Sequence, residues 1–123
     1  MKRILVVEDQ EDLRAILRDV LTASGYTVIE AVDGVEGVAK ARSESPDLVL
    51  MDIQLPVLDG YDATRQIKAL PGLGATPIIA VSSFAMKGDE EKARASGRDG
   101  YVTKPYSPVK LLRLIQGYLG EKL

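Results

Sequence analysis

Ile4-Leu5-Val6-Val7 runs directly into Glu8-Asp9, and Leu48-Val49-Leu50-Met51 runs directly into Asp52. Neither run alternates apolar with polar residues, so the strands they encode are dry on both faces. That is the pattern of a parallel sheet covered on both sides. Tyr26–Ala31, Pro77–Val81 and the short Tyr101–Val102 share the character. Between these runs, apolar residues step by three and four. Leu13, Ile16, Leu17, Val20 and Leu21 do so ahead of Gly25, which stands as a C-terminal cap. Val35, Val38 and Ala39 do so behind Asp33-Gly34, a pair read as turn and cap with no site role. Tyr61, Thr64, Ile67 and Lys68–Leu70 keep the period more loosely. Ser107 as N-cap and Pro108 at the first helical position open a final helix with Leu111, Leu112, Ile115, Tyr118 and Leu119. Ser82–Gly97 is the weakest helix, its few apolar residues diluted by charge, and it should be easily displaced. Five strand–helix units in 123 residues predict one doubly wound α/β domain over 1–123.

Composition narrows the chemistry. The chain has no cysteine and no histidine, so thiolate sites, the usual zinc ligands and the usual general base are excluded. Sixteen basic against eighteen acidic residues leave a net charge of −2, which argues against a sequence-independent grip on nucleic acid. No apolar run approaches the roughly 20 residues of a membrane span. The stretch after Lys2-Arg3 stops at Glu8, too soon for a signal peptide, so the expected location is cytoplasmic.

In open parallel sheets, ligands bind beyond the carboxyl ends of the strands. Those ends carry Glu8-Asp9, Asp52, Ser82 and Thr103-Lys104-Pro105. Three carboxylates and one ammonium leave two excess negative charges, which one divalent cation neutralises. An all-oxygen site that keeps room for water and phosphate suits Mg²⁺. The cation and Lys104 would then stabilise charge on a transferred phosphoryl group, with Asp52 as nucleophile and Ser82 as hydrogen-bond donor.

Through Ile4–Asp9, Leu50–Pro56 with Asp59-Gly60, Ala80–Ser83 and Gly100–Pro105, the chain resembles the receiver domains of two-component response regulators, most of all the stand-alone chemotaxis and cell-cycle type. The resemblance covers essentially the whole chain. It implies a flavodoxin-like fold: a five-stranded parallel sheet of order 2-1-3-4-5 with helices on both faces. It implies Asp52 as acceptor of a phosphoryl group from a histidine kinase or a histidine phosphotransfer protein. Mg²⁺ is then held by Glu8, Asp9, Asp52 and the backbone carbonyl of Gln54. Lys104 binds phosphate, aimed by a cis Lys104–Pro105 peptide. Ser82 and Tyr101 are the switch pair, and Gln54, Phe84 and Pro105 flank the pocket. Switching alters the face built from the Ser82–Gly97 region, the last strand and the final helix, where a downstream protein binds. The first helix, at Leu13 and Arg14, is where the kinase docks. Phosphorylation-dependent homodimerisation stays open, and neither nucleic acid nor membrane is a direct partner. Glu8 stands where many members have Asp, and Phe84 is expected to impede the water that would remove the phosphoryl group.

Singly, each of these residues has an ordinary reading. Asp9 can cap the following helix, Ser82 can be a satisfied strand-end hydroxyl, Lys104 can be solvated and Tyr101 can be edge packing. Only their joint spacing favours the site. Two rival functions remain: a Mg²⁺-dependent phosphohydrolase acting through Asp52, and a receiver-like scaffold that never takes phosphate. The first lacks an acid two residues past Asp52, where Gln54 stands. A flavodoxin-like cofactor carrier is disfavoured by Asp9-Gln10-Glu11-Asp12, which repels phosphate and offers no Gly-rich cradle.

Overall fold

Uninterrupted apolar runs feed two main cores in the computed structural model, which describes residues 2–55, 57–82, 100–103 and 107–120, with the backbone alone at Ser82, Tyr101 and Thr103. The elements are β1 (Arg3–Val7), α1 (Glu11–Ala23), β2 (Thr27–Ala31), α2 (Gly34–Glu44), β3 (Leu48–Asp52), α3 (Gly60–Lys68), β4 (Ile78–Ser82), β5 (Gly100–Thr103) and α4 (Pro108–Tyr118). The strands form one sheet of order β2-β1-β3-β4-β5, all neighbours parallel. This is the doubly wound arrangement that the strand–helix alternation predicts, in the flavodoxin-like order that the resemblance implies. The expected helix within Ser82–Gly97 lies outside the described residues.

Successive strand residues point to opposite faces, so a run that is apolar throughout feeds two cores at once. Leu5, Val7, Val49, Met51 and Ile78 pack with Val38 and Ala41 of α2 and Ala63 and Ile67 of α3. Their neighbours Ile4, Val6, Leu48, Leu50 and Ile79 pack with Leu17 and Leu21 of α1 and Leu111 and Ile115 of α4. Burying one such side chain is worth about 1.5–3 kcal/mol, so the central strands anchor the domain.

Helix ends follow local chemistry. Asp33 caps α2 by accepting from Glu36 N at 2.8 Å, Asp59 caps α3 by accepting from Asp62 N at 2.9 Å, and Ser107 caps α4 with Pro108 behind it. At the end of α1 the C-cap is Ser24, and Gly25 follows it in the left-handed region at φ +92°. Gly25 N donates to Thr22 O and Tyr26 N to Leu21 O, the paired bonds of a Schellman stop.

Helical faces differ in part from the expected ones. Ile16 and Val35 are 49% and 53% exposed, and Ala39 is exposed as well. On α2 the inward residues are Gly34, Gly37, Val38 and Ala41. A Cβ on Gly34 would lie 2.1 Å from the Leu58 carbonyl oxygen, and one on Gly37 would lie 2.9 Å from Val7 Cγ2. The Leu58 backbone at Gly34 and the Val7 side chain at Gly37 leave no room for a Cβ, and these glycines carry no hydrophobic signal to count.

Candidate functional site

β1 and β3 are paired with Val7 opposite Met51, so one step further along the sheet Glu8 comes beside Asp52. Glu8 N still donates to Ala31 O at 3.0 Å, the last link of the β1–β2 ladder. Ile53 N donates to Val81 O at 2.8 Å, which holds the end of β3 against β4. The strand ends are therefore fixed before the chain leaves the sheet.

Carboxylate oxygens of Glu8, Asp9 and Asp52 lie within 4.8 Å of one another. Glu8 and Asp52 are each only 3% exposed, while Asp9 is open to solvent. Two like charges about 4 Å apart repel by roughly 4 kcal/mol at an effective dielectric near 20, so the fold holds these groups together against their own repulsion. Backbone amides set their direction. Gln10 N donates to Glu8 Oε2 at 3.1 Å, and Gln54 N donates to Asp52 Oδ1 at 3.0 Å. Glu8 and Asp52 line a cavity of about 10 Å³ together with Val6, Val7, Leu17, Leu50 and Val81. An apolar floor strengthens the field that the carboxylates present to the open side.

Gly60 lets α3 come close to the site. A Cβ there would lie 2.2 Å from the Asp52 carbonyl oxygen and 2.7 Å from Ile53 Cα. Asp9 is not the cap of α1: that position belongs to Gln10, which makes no side-chain capping bond. Asp9 stands one residue ahead of that position, with a carboxylate oxygen within 4.8 Å of those of the other two acids.

Of the other expected site residues, Ser82 ends β4 and is in register with Thr103, and Tyr101 on β5 is in register with Ala80. Their side chains, with Lys104, Pro105 and Phe84, lie outside the described residues. One pair of charges escaped the sequence reading. Arg14 on α1 donates from Nε to Glu30 Oε1 at 3.1 Å and from Nη1 to the Glu8 carbonyl at 2.9 Å. The available signal was Glu30 itself, a charge within an apolar strand, which requires a partner.

The family model described as "Response regulator receiver domain" matches residues 4–116. The chain is a response regulator receiver domain. Among relatives of this receiver are the polar-differentiation response regulators DivK of Brucella anthropi and Brucella ovis, each 43% identical over 120 residues and covering 98% of both chains. Among solved structures, the receiver domain of the sensor histidine kinase PA1611 from Pseudomonas aeruginosa is 38% identical, covers 98% of each chain and superposes with a TM-score of 0.90. That protein has a magnesium ion coordinated in its active-site cleft. The chemotaxis protein CheY4 of Vibrio cholerae is 28% identical with a TM-score of 0.91, over 96% of this chain and 98% of its own.

As a receiver, the chain is a signalling domain of two-component systems and not a conventional enzyme. Such a domain works by exchange with kinases or phosphotransfer proteins and by contact with downstream targets. Its hard-oxygen donor set of Glu8, Asp9 and Asp52 fits a divalent cation such as Mg²⁺, for which neither nitrogen nor sulfur ligands are needed. No described helix is long and apolar enough to cross a membrane.

Proposed function

We propose that Asp52 is the phosphoacceptor of this receiver. An Asp52 carboxylate oxygen attacks the phosphorus of a phosphohistidine on a kinase or histidine phosphotransfer protein. The new P–O bond forms as the P–N bond breaks, and the imidazole leaves with the electron pair and takes a proton from solvent. Hydrolysis reverses the modification: water attacks phosphorus, the acyl P–O bond breaks, and inorganic phosphate and the free carboxylate result. Gln54 N donates to Asp52 Oδ1 at 3.0 Å and so helps to orient the carboxylate that attacks. Glu8, Asp9, Asp52 and the Gln54 carbonyl would hold Mg²⁺, which would supply positive charge for the phosphoryl oxygens.

Lys104 and Ser82 bind the transferred group, and movement of Ser82 lets Tyr101 turn inward. That shift changes the face formed by the 82–97 stretch, β5 and α4, and so selects the downstream partner by displacing a pre-existing equilibrium. Phe84, with Gln54 and Pro105, flanks the pocket and slows entry of water. The receiver spans residues 1–123 and acts in the cytoplasm.

The supporting observation is the convergence of three carboxylates within 4.8 Å at the carboxyl rim of the sheet, two of them buried. Intact-mass measurement after incubation with acetyl phosphate and Mg²⁺ tests the reading. The parent should gain one phosphoryl mass and Asp52→Asn none. No gain by the parent, or equal gain by both, overturns it. Continuous release of phosphate from simple esters would instead favour the phosphohydrolase.

A further inference from the structure

We infer that Arg14 is a positioning residue for the metal-binding acids, locked in place by Glu30; this rests on the proposed role of Glu8, Asp9 and Asp52. The β1–β2 ladder ends where Glu8 N donates to Ala31 O. The next group on the chain is the Glu8 carbonyl, which belongs to the peptide joining Glu8 to Asp9. Arg14 Nη1 donates to that carbonyl at 2.9 Å, while its Nε donates to Glu30 Oε1 at 3.1 Å. One planar guanidinium thus carries the ladder one link further, from β2 through a side chain to the loop that bears the acids.

The peptide plane between Glu8 and Asp9 sets the relative direction of their Cα–Cβ bonds, so pinning it fixes how the two carboxylates converge. Arg14 is well placed to do so. Its own amide donates to Gln10 O at 3.0 Å in the first turn of α1, and its side chain is 15% exposed. Arg18 Nη1 lies 3.4 Å from Glu30 Oε2, so Glu30 is held from a second side. The planar fork holds the two acceptors in one fixed relation, which a lysine ammonium on a flexible stem does not impose.

Charge and geometry predict opposite outcomes for one substitution. Removing a cation beside an anionic site should tighten Mg²⁺ binding if Arg14 acts through charge alone. Removing the brace should weaken it, since groups that orient metal ligands are typically worth about tenfold or more in affinity. Calorimetric titration of Mg²⁺ into the parent, Arg14→Met and Arg14→Lys, with thermal melting alongside, decides between them. The expected result is Mg²⁺ binding about tenfold weaker in Arg14→Met and about threefold or more weaker in Arg14→Lys, which keeps the charge and loses the fork. A folded Arg14→Met that binds as tightly as the parent, or more tightly, overturns the inference. Should Arg14→Met not fold, Arg14→Lys decides alone, and parent-like affinity there overturns it. Failure of the parent to take up Mg²⁺ refutes the proposed site itself.

Discussion

Val57, between β3 and α3, adopts φ +70° and is 85% exposed. A β-branched residue is a poor occupant of that region, where the left-handed conformation costs roughly 1–2 kcal/mol and asparagine is better tolerated. Val57→Asn should therefore raise stability by about 0.5–1 kcal/mol, read as a higher urea midpoint with an unchanged slope. A lower midpoint would mean that the valine makes a contact worth more than its strain. Gly60 is the opposite case. Its missing side chain is required by the Asp52 carbonyl oxygen, which a Cβ would approach to 2.2 Å. Gly60→Ala should cost about 1–3 kcal/mol, because the clash is with main chain that cannot turn aside. Chemical denaturation measures that loss, and Mg²⁺ titration of the folded fraction should show weaker binding as the end of β3 shifts.

Helix starts show how the site constrains the elements around it. α2 and α3 begin on aspartates that accept backbone amides, whereas α1 begins on Gln10 at φ −79°, ψ 112° without a side-chain cap. The extended conformation is the one a capping residue uses, so Gln10→Ser should stabilise the fold by about 0.5–1 kcal/mol in a thermal melt, and Asp33→Ala should destabilise it by about 1 kcal/mol. If Gln10→Ser proved neutral, its hydroxyl would not be reaching the amides of the first turn. The same elements show what a sequence reveals. Strands at Ile4–Val7 and Leu48–Met51 were legible because two-sided burial leaves uninterrupted apolar runs. Asp33, Ser107 and Pro108 were legible because caps are local chemistry. The inner face of α2 was not, since Gly34 and Gly37 are chosen by the proximity of Leu58 and Val7, residues distant in the chain. Convergence of Glu8, Asp9 and Asp52 could be read from strand ends, because parallel strands deliver their last residues to one rim. The Arg14–Glu30 brace could not, because it depends on how α1 lies across β2.

At the scale of the whole molecule, the two apolar cores stabilise a sheet whose rim works against them. Three carboxylates held within 4.8 Å repel one another in the metal-free protein, and removing one charge should relieve part of that energy. Asp52→Asn keeps an oxygen to accept from Gln54 N and removes the charge. In chelator, the variant should therefore be more stable than the parent by about 1 kcal/mol, or about 4 °C in melting temperature for a domain of this size. Adding Mg²⁺ should reverse the order. A ligand present at 100 times its dissociation constant stabilises the state that binds it by about 2.7 kcal/mol, and the parent should gain most of that while Asp52→Asn gains little. Thermal melts of both proteins across a Mg²⁺ series would show the two curves crossing. A variant less stable than the parent in chelator would mean that Asp52 supports the fold through its hydrogen bonds more than it strains it through charge.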